Sequence, residues 1–441
     1  MEEVRAFFPP IGILDRLLDP IEGMRSSPLE VEPTLEALPS LEDLIHVEAY
    51  PDPEQRAEVA IALSSLYLRG GQVEKALDFL ALAFRAIEEQ QSPRSEIRVF
   101  LQLGEVRALQ GYQREAEAYL RLALERAFGI GAEEDASWAL GILGELALRR
   151  HAYETAIEYI HQGIALLDQV EPPRPLPKAY LLALRGTAYR GIGSFDDCLI
   201  SYCQVLELLE LAHSFEKVDH PRELQDHGVH RHGTEGALGW LQSLSAQLEM
   251  REIQRMAARV QTNLGLLLLF RGDLYASYGY LKSGLSLHRE LGDRYAEGCA
   301  LGGLSRCSYL LGRNEEAKEY AISALALLGE AQDQGKASVQ EGAERGRLQF
   351  LVALIMESEG DRGEARRYLQ EAIQAFSVLG ITTDLVAAYM VLGRLHLEEG
   401  EVEEAASLLH QALQALQRLT VSLQDTKGFP HGVAELPWNT L

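Results

Sequence analysis

One skeleton recurs along the 441-residue chain, and it narrows the possible folds more than any other feature. Its clearest copy is LGRLHLEEGEVEEAASLLHQAL, residues 392–413. A Leu-Gly pair is followed by a second Gly seven residues after the first, an Ala five further on and another Ala seven beyond that. The same skeleton stands at 63–84, 103–124 and 143–164, and in looser form at 185–206, 264–285, 304–325 and 352–373. The second glycines are Gly71, Gly111, Gly193, Gly272, Gly312, Gly360 and Gly400, with His151 in the third slot. Most steps are 40 residues; one, from Gly193 to Gly272, is 79.

Each copy reads as two helices and a turn. The second glycine accepts the positive φ that caps a helix C-terminus. Gly104, Gly144, Ala76 and Ala116 stand where two helices would cross, and their small side chains let the backbones approach. Leu, Tyr and Phe fill the i, i+3, i+4 and i+7 positions between them. A single hairpin of this kind cannot bury its own apolar face, whereas a stack of hairpins does.

The pattern resembles the tetratricopeptide repeat through the Leu-Gly pair, the turn Gly and the two spaced alanines. The usual repeat is about 34 residues, and this chain is similar to the longer 40-residue variant. The resemblance implies an all-α, right-handed α-solenoid of about nine helical hairpins over residues 54–420. It also implies a concave face lined by the first helix of each hairpin, used for binding other proteins. In the family, a Lys and Asn clamp grips chaperone C-termini. The matching positions here hold Ser65, Glu105, Glu145, Thr187 and Leu266.

The formal net charge of -25 argues against general nucleic-acid binding, because phosphates would be repelled. No run of 18 apolar residues is present, and the strongest, LGLLLLF at 264–270, is too short to cross a bilayer. The N-terminus lacks a basic segment followed by an apolar one. Cys198, Cys203, Cys299 and Cys307 form no CxxC pair and sit inside helical patterns. A cytoplasmic protein with reduced cysteines is expected. No phosphate loop, HExxH or GxSxG motif occurs, so no enzyme activity and no cofactor are expected.

Three segments break the pattern. Residues 1–53 hold eight of the 16 prolines and twelve acids against three arginines. They read as an extended arm, either partly disordered or packed as a cap on the first repeat; the sharper alternative is an acidic, apolar arm that folds back into the chain's own groove or docks on a partner. Residues 329–346 are polar and contain Gly, which predicts a surface loop. Residues 421–441 read as a flexible tail.

The long step holds the third oddity, DHPRELQDHGVHRHG at 219–233. Gly233 falls where a turn glycine is due, and the leucines of 234–250 recur at helical spacing. A degenerate hairpin over 215–252 is therefore expected. Glu223, His227 and His230 would share one helix face with His220 nearby, an arrangement able to hold a metal. Gly228 loosens that geometry, so a polar, irregular helix or loop with solvated imidazoles is the favoured reading, a pH-sensitive patch is the intermediate one, and no metal is expected.

Offsets of -6, -3, +1, +4 and +5 from the Leu-Gly glycine line the concave face in proteins of this family. Those offsets select eight arginines and five glutamates here. Arg98, Arg149, Arg190, Arg259, Arg306, Arg347 and Arg394 are candidates for gripping carboxylates through the planar guanidinium fork. Trp138, Tyr180 and Tyr309 are candidate apolar anchors. The expected function is a non-enzymatic scaffold or adaptor that binds acidic, apolar peptide segments of a partner. The bland alternative is that these arginines pair with neighbouring glutamates. A peptide-responsive regulator that compacts on binding is the second functional reading, and a metal-dependent sensor or enzyme at the histidines the third.

Overall fold

The computed structural model describes residues 47, 50, 52–69, 71–171, 173, 175–216, 234–333, 339–380 and 382–425. Among them are sixteen α-helices and no strand. In chain order they are α1 Pro53–Arg69, α2 Val73–Glu89, α3 Pro93–Leu109, α4 Gln113–Ile130, α5 Glu133–Arg149, α6 Tyr153–Leu167, α7 Pro175–Gly191 and α8 Phe195–Glu216. There follow α9 Thr234–Phe270, α10 Leu274–Leu291, α11 Arg294–Leu310, α12 Asn314–Asp333, α13 Val339–Ser358, α14 Arg362–Leu379, α15 Thr382–Glu398 and α16 Val402–Asp425. The predicted all-α hairpin stack is what the chain builds.

The turn chemistry follows the sequence reading. All seven turn glycines have positive φ, from 69° at Gly71 to 86° at Gly400. His151 takes the same conformation at 57°, alone among the described non-glycine residues. The closing bonds match as well: Tyr112 N donates to Arg107 O at 2.9 Å, and Ala152 N to Ala147 O at 2.9 Å. This 6→1 bond satisfies one of the carbonyls that a helix end leaves over.

Leu-Gly glycines mark the crossings. A Cβ built on Gly104 would lie 2.7 Å from Leu120 Cγ, and one on Gly265 would lie 2.5 Å from Leu281 Cγ. First and second helices thus meet closely enough that any side chain would push them apart. Leu120, Leu281, Ala116 and Ala321 are fully buried there.

The chain divides into two compact units, with the boundary between Val260 and Gln261. In the first, α1 with α2, α3 with α4, α5 with α6 and α7 with α8 form hairpins, and each first helix also packs on neighbouring first helices. In the second, α11 with α12, α13 with α14 and α15 with α16 do the same, and the end of α9 packs on α10 through Gly265.

Three boundaries differ from expectation. The second helix of the degenerate hairpin does not end near 252; it runs on as α9 to Phe270. No Gly or Pro lies between Trp240 and Leu264 to break it. The predicted surface loop at 329–346 is largely helical, with α12 reaching Asp333 and α13 starting at Val339. Gly342 and Gly346 serve packing: a Cβ on Gly342 would sit 3.1 Å from Leu379 Cδ1 and one on Gly346 2.8 Å from the Phe376 ring. The last helix continues to Asp425, past the expected start of the tail at 421. Of the N-terminal arm, Val47 and Tyr50 are buried against the first hairpin. His220, Glu223, His227 and His230 lie outside the described residues, as do 426–441.

Candidate functional site

The candidate residues lie on the first helices, and the two units use them differently. In the first unit, α3 carries Arg94 and Arg98, and α5 carries Asp135, Trp138, Glu145 and Arg149. Asp135 stands in the first turn of α5, where the helix N-terminus favours an acid. Arg94 Nε lies 3.5 Å from its carboxylate. Burial pushes the Asp135 carboxyl above the usual carboxylate range, and the charges of Arg98 and Arg94 oppose that shift. Arg149 pairs with Glu145 one turn back and donates from Nη1 to Ala108 O at 3.5 Å, which ties α5 to α3.

The two aromatic candidates meet each other. Trp138 and Tyr180 stack with ring centroids 5.3 Å apart, and both are buried. Gly141 makes room, for a Cβ there would stand 3.1 Å from Tyr180 Cε1. The Tyr180 hydroxyl has no hydrogen-bond partner among the described residues. Burial raises its pKa well above the ordinary phenol value, and Glu145 and Glu105 push the same way. Arg190 and Arg259 are half-buried on α7 and α9. Trp138 and Tyr180 therefore sit in the packing between helices rather than standing out as anchors.

In the second unit the arginines form a chain across α11, α13 and α15. Arg306 Nη1 lies 3.0 Å from Glu344 Oε1. Glu344 also faces Arg347 at 4.0 Å, and Arg347 Nε is 2.9 Å from Asp384 Oδ2. Gly302 leaves space for Glu344, since a Cβ there would be 2.6 Å from Glu344 Oε1. Further along, Arg394 Nη1 lies 2.7 Å from Glu357 Oε1. Tyr309 is half-buried, and its pKa is raised by burial and by Glu357.

A common geometry emerges. In each of these pairs the carboxylate is the more buried partner and the guanidinium the more exposed. A guanidinium carries about five N–H donors, and an acid beneath it occupies only part of the fork. These acids fix where each guanidinium sits, as outer partners fix a ligating group. They also cancel most of the positive excess expected of the inner face. Asp135, Glu344 and Asp384 escaped the sequence reading. Each lies nine residues before the position of the Leu-Gly glycine, in the first turns of its helix. A search for Arg followed by an acid 37 or 38 residues on would have found Arg306–Glu344 and Arg347–Asp384.

Among the described residues, no group of three or more His, Cys, Asp or Glu could hold a metal ion. Among the same residues, no helix is long and apolar enough to cross a membrane.

No protein-family model matches the chain. The human "SH3 domain and tetratricopeptide repeat-containing protein 2" is 31% identical over 121 residues, which is 27% of this chain and 9% of that protein. The matched stretch thus spans less than a tenth of its relative. Among solved structures, the apo form of the quorum sensor NprR from B. thuringiensis aligns with a TM-score of 0.50 at 13% identity, covering 84% of this chain and 90% of that one. The chain has a tetratricopeptide-like helical-repeat fold. Aspartyl phosphate phosphatase F from Bacillus subtilis aligns with a TM-score of 0.48 at 12% identity, covering 90% of this chain and 96% of that one. Within each unit the first helices of the hairpins carry the pairs described above.

Proposed function

We propose that this protein is a non-enzymatic scaffold whose inner helices bind acidic segments of partner proteins. The observation that carries the reading is the layered pair: a more buried acid below and a more exposed guanidinium above, repeated at Arg149, Arg306, Arg347 and Arg394. A guanidinium already held in place loses little freedom when a second carboxylate arrives, so its remaining donors bind at low entropic cost. Tyr309, half-buried on α11 and within the field of Glu357, supplies apolar contact. Arg98, Arg190 and Arg259 extend the same role in the first unit, with Trp138 and Tyr180 as the stiff backing of that wall. The N-terminal arm, rich in acids, is a candidate occupant from the chain itself.

The test is binding of the full chain to an array of acidic peptides and their amide-substituted counterparts. Acidic members should bind preferentially, and binding should weaken with salt. Arg394→Gln combined with Arg149→Gln should lower affinity several-fold at unchanged helicity. Equal binding of acidic and amide peptides, or no effect of the double variant, would overturn the proposal. Reversal of Arg306 or Arg347 to Glu is a poor test, since it would set like charges against buried Glu344 and Asp384.

A peptide-responsive regulator is the second reading, supported by the division into two compact units. Small-angle scattering with and without a binding peptide decides it: compaction of the chain supports regulation, and an unchanged profile leaves the scaffold.

A further inference from the structure

The last hairpin repeats the register of those before it, but its outer layer is bare. Nine residues after each turn glycine stands an apolar residue of the second helix. Leu120, Ile160, Leu281, Ala321 and Leu369 are all buried at that position, whereas Leu409 is 44% exposed. Sixteen residues after the turn, Ala127, Leu167, Leu328 and Phe376 are buried, and Leu416 is exposed. Three residues before the Leu-Gly glycine, Leu101 and Phe350 are buried, and Met390 is 53% exposed. Within each unit, the first helix of the following hairpin packs on the second helix before it. No described helix follows α16 to do so.

We infer that this face pairs with the same face of a second copy of the chain, α16 lying antiparallel on its counterpart. Three observations select that occupant. First, the first hairpin of the first unit is covered: Val47 and Tyr50 pack on it, and no residue from Ala57 to Leu68 is exposed. A head-to-tail array is thereby excluded, and what remains for this chain is a two-fold contact of one face with itself, which closes after two copies. Second, the bare stripe matches itself in reverse. Ala406, Leu409, Leu413 and Leu416 are spaced three, four and three, so an antiparallel partner sets Leu409 on Leu413 and small Ala406 on large Leu416. Third, the area suffices. Met390, Leu397, Val402, Leu409, Leu413 and Leu416 together expose roughly 500 Å² of apolar surface, the size at which an apolar area on a soluble protein is often functional. Two copies would bury about 1,000 Å², the lower bound for a specific interface.

Sedimentation equilibrium of the full chain tests this over a wide concentration range. The wild type should shift from 49.0 kDa to twice that mass as concentration rises. Leu409→Glu with Leu413→Glu should weaken the pairing at least 100-fold and leave a monomer of unchanged helicity, since Glu is a good helix former. Val378→Glu removes an apolar residue that is 80% exposed on α14, away from the stripe, and should leave the dimer intact. A wild type monomeric at all concentrations overturns the pairing; residues 426–441 or a foreign helix would then be the cover. A dimer that survives the double variant, or that Val378→Glu dissolves equally well, overturns it too.

Discussion

In two repeats of each unit the position just after the Leu-Gly glycine is charged, and the sign differs between the units. In the first it is Glu105 on α3 and Glu145 on α5, the latter only 1% exposed. In the second it is Arg306 on α11 and Arg394 on α15, whose side chain is 52% exposed. The register is the same, and side-chain length decides the outcome. A glutamate is too short to clear its neighbours and stays beneath, where Arg149 covers Glu145. An arginine lays its stem along the helix and lifts its charge toward water. Behind the glutamates of the first unit lie the stacked rings of Trp138 and Tyr180. Behind the arginines of the second lie acids from neighbouring hairpins. One backbone pattern therefore yields a closed wall in one unit and a cationic one in the other, and the binding proposal rests more heavily on the second.

Removing the charge that ties the second wall together should produce the largest effect. Arg347→Ala takes from Asp384 its 2.9 Å partner and from Glu344 a second neighbour, and both acids are buried. Breaking a buried pair from one side costs about 3 kcal/mol. Urea unfolding should register a loss of that order. A loss below about 1 kcal/mol, the range of exposed pairs, would mean that water reaches these acids and that the two walls differ less than their geometry indicates.

The units differ also in one turn, and there a gain is expected. Every described first-to-second turn of the second unit has glycine, while the third turn of the first unit has His151 at φ 57°. A side chain in the left-handed region costs about 1 kcal/mol or more. The imidazole returns some of that through a 3.0 Å contact of Nδ1 with the Tyr153 hydroxyl. His151→Gly should therefore stabilise by about 0.5–1 kcal/mol, read as a higher thermal midpoint. An unchanged or lower midpoint would show that the Tyr153 contact outweighs the strain.

These residues also show what a sequence reveals. The turns were legible because each needs one residue type at one backbone position, and His151 was found by its place in the series. The helix crossings were legible through Gly104 and Gly144 for the same reason. The charge pairs were not, because the partner of Arg306 is set by the pitch between hairpins, which a single repeat does not contain. Glu344 was hidden further, in a polar, glycine-bearing stretch whose composition suits a loop. In the fold that stretch is helical, with Gly346 packed under the Phe376 ring. The arginines were identified by register; that acids already lie beneath them follows from stacking alone.

Asp135 offers the smallest and most selective test of the comparison. It is the acid of the first unit that most resembles Asp384: both lie in the first turn of a first helix and both are buried. Burial raises the Asp135 pKa, and Arg98 and Arg94 only partly counter it. The folded state therefore holds a proton at pH values where the unfolded chain has already released it. Folding stability from this group is greatest below the unfolded carboxyl value of about 3.9. It falls as pH climbs from there through the raised folded value, and stays reduced above it. Asn at this position does not titrate. The stability of Asp135→Asn relative to wild type should thus increase as pH rises through that window and level off above it, measured by denaturant unfolding at a series of pH values. The difference between the two proteins cancels the other carboxylates. A relative stability that instead declines with rising pH would mean that the two arginines outweigh burial, and that the first unit holds its acids as ion pairs just as the second does.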